Sequence, residues 1–353
     1  MRRRKGRLRK ELGLSLDPRA RGRLRELALE AGFHRAGFVD PGLAEAAAAR
    51  VGHRLPPAAA GLDWEWITGA HAWRRSSSIL VCCLSCLRRE PDDLGSPGDP
   101  HALIAPFARA HYYRQAVTLL KAAARRFEQE CGLGVGSVRL FSNSRLPERA
   151  LLAATGLAAC GRNGCAIVPG LGSLFVIAGA ILPVPTPEES PAPPAPDPCG
   201  SCRRCSRACP AAALDEPRVV RRERCLQELA SRAEPWSTDT MERWGTRLYG
   251  CQDCQACCPR NADLHEPASP SVGEIGPSLS INALLSGDDG TLRSRFRGTA
   301  MGMSWLSPDA LRRNALVAAG NRRDPAVRPA VERYRAHETP AVRQAAAWAL
   351  RRL

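Results

Sequence analysis

Lysine is nearly absent from this chain of 353 residues: it occurs only at positions 5, 10 and 121, and almost all of the positive charge is arginine. The formal net charge is +16 and the pI is near 9.7. A surplus of that size points to a polyanionic partner, nucleic acid first. Arg, Ala, Pro and Gly are all abundant, as a GC-rich genome would also produce, so composition alone leaves the two explanations even. The charge gathers at the ends. Seven Lys/Arg stand in the first ten residues, and the tail beyond 310 is rich in Arg and poor in acids.

Long apolar runs are missing as well. No stretch reaches the about 18 residues that a transmembrane helix needs, so no membrane span is expected. The opening MRRRKGRLRKELGLSLDPRA is basic with no apolar stretch behind it, which argues against a secretory signal and for a cytoplasmic chain. No Gly-x-Gly-x-x-Gly follows a strand, so a Rossmann nucleotide site is not expected. His34, His53, His71 and His101 lack metal-ligand spacing and are expected at the surface.

Cysteine, by contrast, is plentiful. In a chain with no secretory signal, fifteen cysteines suggest metal binding rather than disulfides. Nine of the fifteen fall between 199 and 258.

The composition divides the chain. Residues 1–182 read as a mixed α/β domain. Leu24 to Ala31 is a short helix ending at Gly32, and Ser78-Ile-Leu-Val-Cys-Cys-Leu84 is a buried strand. Ala105 to Cys131 is a helix with Tyr113, Ala116, Leu120, Ala123 and Phe127 on one face, stopped by Gly132 and Gly134. Val138 to Ser142 and Ser173 to Leu182 are strands, the second apolar enough to be central. Between them, Pro147 to Thr155 fits a helix with Pro near its first turn. Residues 183–198, PVPTPEESPAPPAPDP, form a Pro-rich linker. A cysteine domain spans 199–262. Residues 290–353 read as a tail of paired helices, HEAT-like, with stripes at Leu311, Ala315, Ala318 and at Val342, Ala345, Ala346, Ala349, Leu350, Leu353. The fold class expected is α+β, with a ferredoxin-like insert and an α-helical tail.

Cys199-x2-Cys202-x2-Cys205-x3-Cys209-Pro210 is the bacterial ferredoxin run. Its short spacings wrap three corners of a cubane, and its fourth cysteine reaches the other cluster in two-cluster proteins. Cys251-x2-Cys254-x3-Cys258-Pro259 follows, with Cys225 between the runs. The two runs hold seven cysteines and Cys225 is the eighth, enough for two [4Fe–4S] clusters. Exchanging the Cys-Pro residues assigns Cys199, Cys202, Cys205 and Cys258 to one cluster and Cys209, Cys225, Cys251 and Cys254 to the other. Cys257, next to Cys258, fits a different register, and that choice stays open. Tetrahedral zinc is the competing occupant of paired CxxC motifs. The ferredoxin run is more specific than that. Cys82, Cys83, Cys86, Cys131, Cys160 and Cys165 are read as small core residues. Two clusters make a short electron wire, and the long region before the linker suggests a second site that receives the electrons.

Several stretches then resemble one family in the right order: Leu62-Asp-Trp-Glu-Trp66 with Arg74 and Arg75, Ile104 to Tyr113, Thr155 to Asn163, Gly172 to Gly179, Tyr249 to Gln255, Cys258-Pro-Arg-Asn261, Phe296 to Thr299, and Leu311 to Asn321. The layout resembles the epoxyqueuosine reductases, cobalamin-dependent iron–sulfur enzymes of tRNA modification. The resemblance implies a cobalamin on the N-terminal domain beside one cluster, with Gly161, Arg162, Asn163 and Ser173 as cofactor-binding candidates. It also implies a tRNA anticodon stem-loop as partner, an electron donor such as flavodoxin or ferredoxin, and a monomer. In that family an Asp near the cobalt supplies the proton that removes the epoxide oxygen. Here the segment reads Phe141-Ser-Asn-Ser-Arg-Leu-Pro-Glu-Arg149, and Asn143 stands at the acid's position. An amide cannot donate a proton as an acid does. Glu148 or a water is the substitute expected. The family's Trp and Lys in the Gly-Lys-Asn stretch are replaced by Ala159 and Arg162. Three readings stay open: a reductase using another acid, a relative acting on another substrate, and an electron-transfer protein that has lost the reaction. His111 and Tyr113 could approach a cofactor, and Trp64, Trp66 and Trp73 are read as an ordinary satellite core.

Overall fold

The computed structural model describes residues 18–39, 78–87, 95–144, 146–182, 193–262, 264 and 275–353. The first ten residues, His53, Leu62 to Trp66, His71, Trp73 to Arg75 and the linker's 183–192 lie outside them.

The apolar strands pair as their sequences suggest. Strand Ser78–Ser85 and strand Phe175–Leu182 lie antiparallel at the centre of a four-stranded sheet, with Arg35–Val39 and Arg139–Ser142 at the edges. Both central strands are buried on both faces, and their alternate side chains feed two separate cores. Leu80, Cys82 and Leu84 face helices Pro18–Glu30 and Tyr112–Glu130. Ile79, Val81 and Cys83 face helix Glu148–Ala154. The sheet is thin at Gly179, where a Cβ would fall 2.1 Å from the Phe141 ring. Only glycine lets that ring lie flat on the strand.

The long helix begins at Tyr112, not at Ala105. Pro106 opens a separate 3₁₀ turn over Pro106–Ala108, and the buried Arg109 donates from Nε to the Ile104 carbonyl at 2.9 Å. His111 then caps the helix, its Nδ1 accepting from Arg114 N–H at 3.1 Å. The expected stops hold: Gly32 and Gly132 both take left-handed φ values, +112° and +65°. His34 is not simply a surface residue, since its Nδ1 accepts from Ser85 N–H at 3.2 Å and ties the edge strand to the centre.

A third core lies beyond the sheet. It joins Ala102 and Ile104 to residues 226–249, to residues 279–306, and to helices Pro308–Arg322 and Pro340–Leu350. Strand Asp99–Ile104 crosses this region, pairing parallel with Arg247–Tyr249 and antiparallel with Ser278–Ser280. Helix 308–322 is buried almost all round, including Arg313 and Asn314. Arg313 lies 3.4 Å from the Trp236 ring and donates to the carbonyls of Leu229, Ala230 and Glu234. Asn314 Nδ2 donates to the Ala230 and Leu248 carbonyls. These carbonyls flank the cysteine loops, so the last helices and the cysteine segment share one interior. Among the described residues no helix is long and apolar enough to cross a membrane.

Candidate iron–sulfur centres and the adjoining cavity

The cysteine loops are built from tight turns. Cys202 N–H donates to the Cys199 carbonyl at 2.9 Å, with Gly200 between them at φ +49°. Cys205 enters the single-turn helix Arg204–Ala208, and Cys209 ends it in extended conformation. Cys258 precedes Pro259, the first residue of helix Pro259–Ala262. Cys199, Cys202, Cys205 and Cys258 thereby come to line one cavity of about 300 Å³. This is the first quartet expected from the sequence. Cys257 does not line it: its sulfur faces the Cys254 carbonyl at 3.7 Å, and the thiols of Cys205, Cys254 and Cys258 are its neighbours.

The second set is Cys209, Cys225, Cys251 and Cys254. Cys225 feels Cys254 and Cys209, and Cys251 feels Cys254. Cys209 Sγ accepts from Ala213 N–H at 3.3 Å. Burial pushes the Cys225 thiol up, and the N–H groups of Glu228 and Gln227, which point at its sulfur, oppose that shift. Burial pushes the Cys251 thiol up to about 12, so a metal that binds there must displace a tightly held proton.

The donor set suits a cluster. Among the described residues no three His, Cys, Asp or Glu converge to hold a single metal ion. Four thiols spaced around a cavity match a cubane better than a tetrahedral zinc ion. Arg162 supplies a further sign. Its backbone N–H donates to Cys199 Sγ at 3.2 Å, and its buried Nε has no partner, leaving a donor for an inorganic sulfide.

Cys165 was missed by the sequence reading. It is hydrogen-bonded to Cys254, and that bond, with burial, pushes the Cys254 thiol up. It falls in an apolar stretch far upstream of the ferredoxin run, with no spacing to mark it. Cys82, Cys83 and Cys86 are buried core residues as expected, whereas Cys160 is exposed.

The four cofactor candidates gather at the cysteines. Arg162 and Asn163 line the first quartet's cavity, and Asn163 Nδ2 donates to the Cys254 carbonyl at 3.3 Å. Gly161 lies beside Asn163 and Ile167, where a Cβ would clash at 2.6 Å. Ser173 N–H donates to Asn261 Oδ1 at 2.8 Å, and its carbonyl accepts from Gln255 Nε2 at 2.8 Å. Gly172, at φ +67°, makes this approach possible, because a Cβ there would sit 2.1 Å from Asn261 Oδ1.

None of those four lines the larger cavity, of about 480 Å³. Its walls are Phe107, Tyr113, Tyr249 and Trp305, with Asn143, Gln227, Ser231 and Arg232 as polar groups. It adjoins the second quartet: Gln227 Oε1 accepts from Cys251 N–H at 3.0 Å, and Glu228 lines the cavity while its N–H faces Cys225. Asn143 stands at the tip of its loop at φ +49°, a conformation asparagine tolerates. Glu148 lies beneath that loop, its Oε1 accepting from Ser144 N–H at 2.8 Å. Burial pushes its carboxyl up to about 7, although the N–H groups of Ser144 and Asn143 oppose the shift. Its charge in turn contributes to the raised Tyr113 phenol, after burial and Cys86. The loop thus carries an acid that holds its proton near neutrality, placed under the cavity wall rather than at the tip.

Comparison with known proteins follows this geometry. The 4Fe-4S double cluster binding domain family matches residues 198–261. An epoxyqueuosine reductase of Xanthomonas campestris is 29% identical over 354 residues, covering 94% of this chain and 95% of that protein. That of Bacillus subtilis is 30% identical over 215 residues, which cover 60% of this chain and 54% of the relative's length. A crystal structure of selenomethionine-labelled epoxyqueuosine reductase superposes with a TM-score of 0.78 at 23% identity, covering 94% of this chain and 89% of that one. Another, with an epoxyqueuosine-modified tRNA-Tyr stem loop, gives 0.77 at 23% identity and the same coverage.

Proposed function

We propose that this chain, a divergent member of the epoxyqueuosine reductase family, is an iron–sulfur oxidoreductase that reduces epoxyqueuosine to queuosine in tRNA. Removing the epoxide oxygen leaves a carbon–carbon double bond. It takes two electrons and two protons and releases one water. The observation that carries the proposal is the order of the sites. The second quartet lies between the other two sites, near the first quartet through Cys257 and next to the Asn143 cavity through Gln227.

Two [4Fe–4S] clusters, held by the eight cysteines, would supply electrons one at a time. The cobalamin of the family is assigned to the larger cavity, whose amide, hydroxyl and aromatic walls suit a cofactor edged with amides; when bound, it supplies the two-electron chemistry at the epoxide. Asn143, Gln227 and Ser231 are its holding residues on this reading. Gly161, Arg162, Asn163 and Ser173 instead support the cluster loops.

The protein's own groups handle the proton. Asn143 offers an amide N–H to the epoxide oxygen and so orients it. Glu148, with its carboxyl near 7, is the acid that replaces the missing aspartate. Tyr113, Tyr249, Phe107 and Trp305 exclude water from the reacting atoms. The C-terminal helices, which we read as a HEAT-like tail, take the stem-loop, and their exposed arginines attract its phosphates.

The test is turnover. Holoprotein with cobalamin, a reducing system and an epoxyqueuosine-bearing stem-loop should give queuosine, read by mass spectrometry of the nucleosides. Unchanged epoxide in the presence of reduced clusters and bound cobalamin would overturn the substrate assignment. Clusters that never accompany cobalamin binding would leave an electron-transfer protein.

A further inference from the structure

We infer that the arginine-rimmed mouth of the first cysteine quartet is the docking face for an acidic electron-carrier protein, and that electrons enter the chain there. The inference rests on the proposed function and adds a place and a charge to its donor.

Arg162, Arg204 and Arg260 line the cavity with the four cysteines, and no carboxylate does. Arg203 and Arg207 stand exposed beside them, flanking Arg204 at the short helix. Arg162 Nη2 and Arg260 Nε donate only to the carbonyls of Gly200 and Pro198, which neutralise no charge. Among the described residues, Arg203, Arg204 and Arg207 form no ion pair. The nearby acid, Asp197, is already engaged by Cys199 N–H and Arg218.

The rest of the same lobe is arranged differently. Arg221 pairs with Asp215 and Glu216, Arg222 and Arg232 with Glu228, Arg243 with Asp239, and Arg247 with Asp253. A compositional surplus of arginine would leave unpaired cations scattered over the lobe. Here, Arg224 apart, they concentrate around the mouth of the cavity that the first quartet lines. Uncompensated like charges repel one another, so this face gains most from an anionic partner, and its field steers such a partner inward. A reduced carrier with an acidic rim around its cofactor fits both needs, because electron transfer requires close approach of the two redox centres. RNA phosphates share the charge. However, a stem-loop seated here would occupy a different cavity from the one Asn143 lines.

The experiment uses anaerobic holoprotein and the variant Arg203→Glu/Arg207→Glu, whose residues lie outside the cavity lining. Stopped-flow bleaching of the clusters is followed with reduced flavodoxin and, separately, with dithionite. The variant should be reduced by flavodoxin about tenfold more slowly at low salt, with the difference shrinking toward about 0.5 M salt as screening removes the attraction. Its iron content, dithionite reduction and stem-loop affinity should match the parent. An unchanged flavodoxin rate in a fully loaded variant overturns the docking face and leaves the proposed function standing. Loss of stem-loop binding with an unchanged flavodoxin rate overturns it in favour of RNA. A parent protein that takes up no cluster overturns the underlying function and the docking face together.

Discussion

Cys199, Cys202, Cys205 and Cys258 open to solvent through a mouth of arginines, whereas the set of Cys209, Cys225, Cys251 and Cys254 backs onto the apolar core that runs to the C-terminal helices. Cys251 packs against that core directly, and Leu226, next to Cys225, is part of it. The same ligand chemistry therefore meets two environments. One faces charge and water and suits exchange with a partner. The other faces packed side chains and a second cavity and suits delivery inward. Solvent exposure and nearby charge tune cluster potentials, so the two sites are not expected to be equivalent.

Ligand removal gives the largest effect. Cys258→Ser should lose about half of the iron, because a cubane missing a thiolate is readily lost, while Cys257→Ser should keep both clusters. Iron analysis with EPR of the reduced protein checks this, and the reverse result would exchange the two residues' roles. Arg313→Met strikes the other side of the comparison. It strips donors from the carbonyls of Leu229, Ala230 and Glu234, at a cost of about 4 kcal/mol, and should loosen the second cluster before the first. Thermal unfolding and cluster-specific EPR would read it, and parallel loss of both clusters would erase the distinction. Glu148→Gln is smaller and depends on pH. Glu148 holds its proton in the fold up to about 7, above its unfolded value. Its contribution to stability is thus full below about pH 4.5 and lost as pH rises to about 7. The amide of the variant mimics the protonated carboxyl, so the variant should be more stable than the parent at pH 8 by up to about 3 kcal/mol and no different at pH 4. Melting curves at the two values test that, and turnover in the same variant should be low at every pH, because its amide cannot supply the proton, whereas the parent's turnover falls only above about pH 7.

Much of this was legible in the chain. Strands 78–85 and 175–182 announce themselves by continuous apolar runs, and the cysteine spacing points to the quartets without help from the fold. Other features depend on contacts distant in sequence. Arg312 and Arg313 lie outside the apolar stripe of Leu311, Ala315 and Ala318, yet both are buried, and the carbonyls around Ala230 and the carboxylate of Asp289 take their donors. Arg162 and Ser173 are cofactor candidates by resemblance alone. Their hydrogen-bond partners, Cys199, Gln255 and Asn261, arrive from as much as 88 residues away and tie them to the cysteine loops. The late start of helix Tyr112–Glu130 follows from contacts around it: Arg109 Nε binds the Ile104 carbonyl, and the His111 ring caps the Arg114 N–H.

The shared interior also imposes an order on assembly. Cys251 of the second quartet rests on a core that extends to Ala349, so a nascent chain presents its cysteines long before that support exists. A chain that ends before residue 308 lacks that support and is expected to load this quartet poorly. Iron content of chains truncated at that point would show whether loading waits for the final helices.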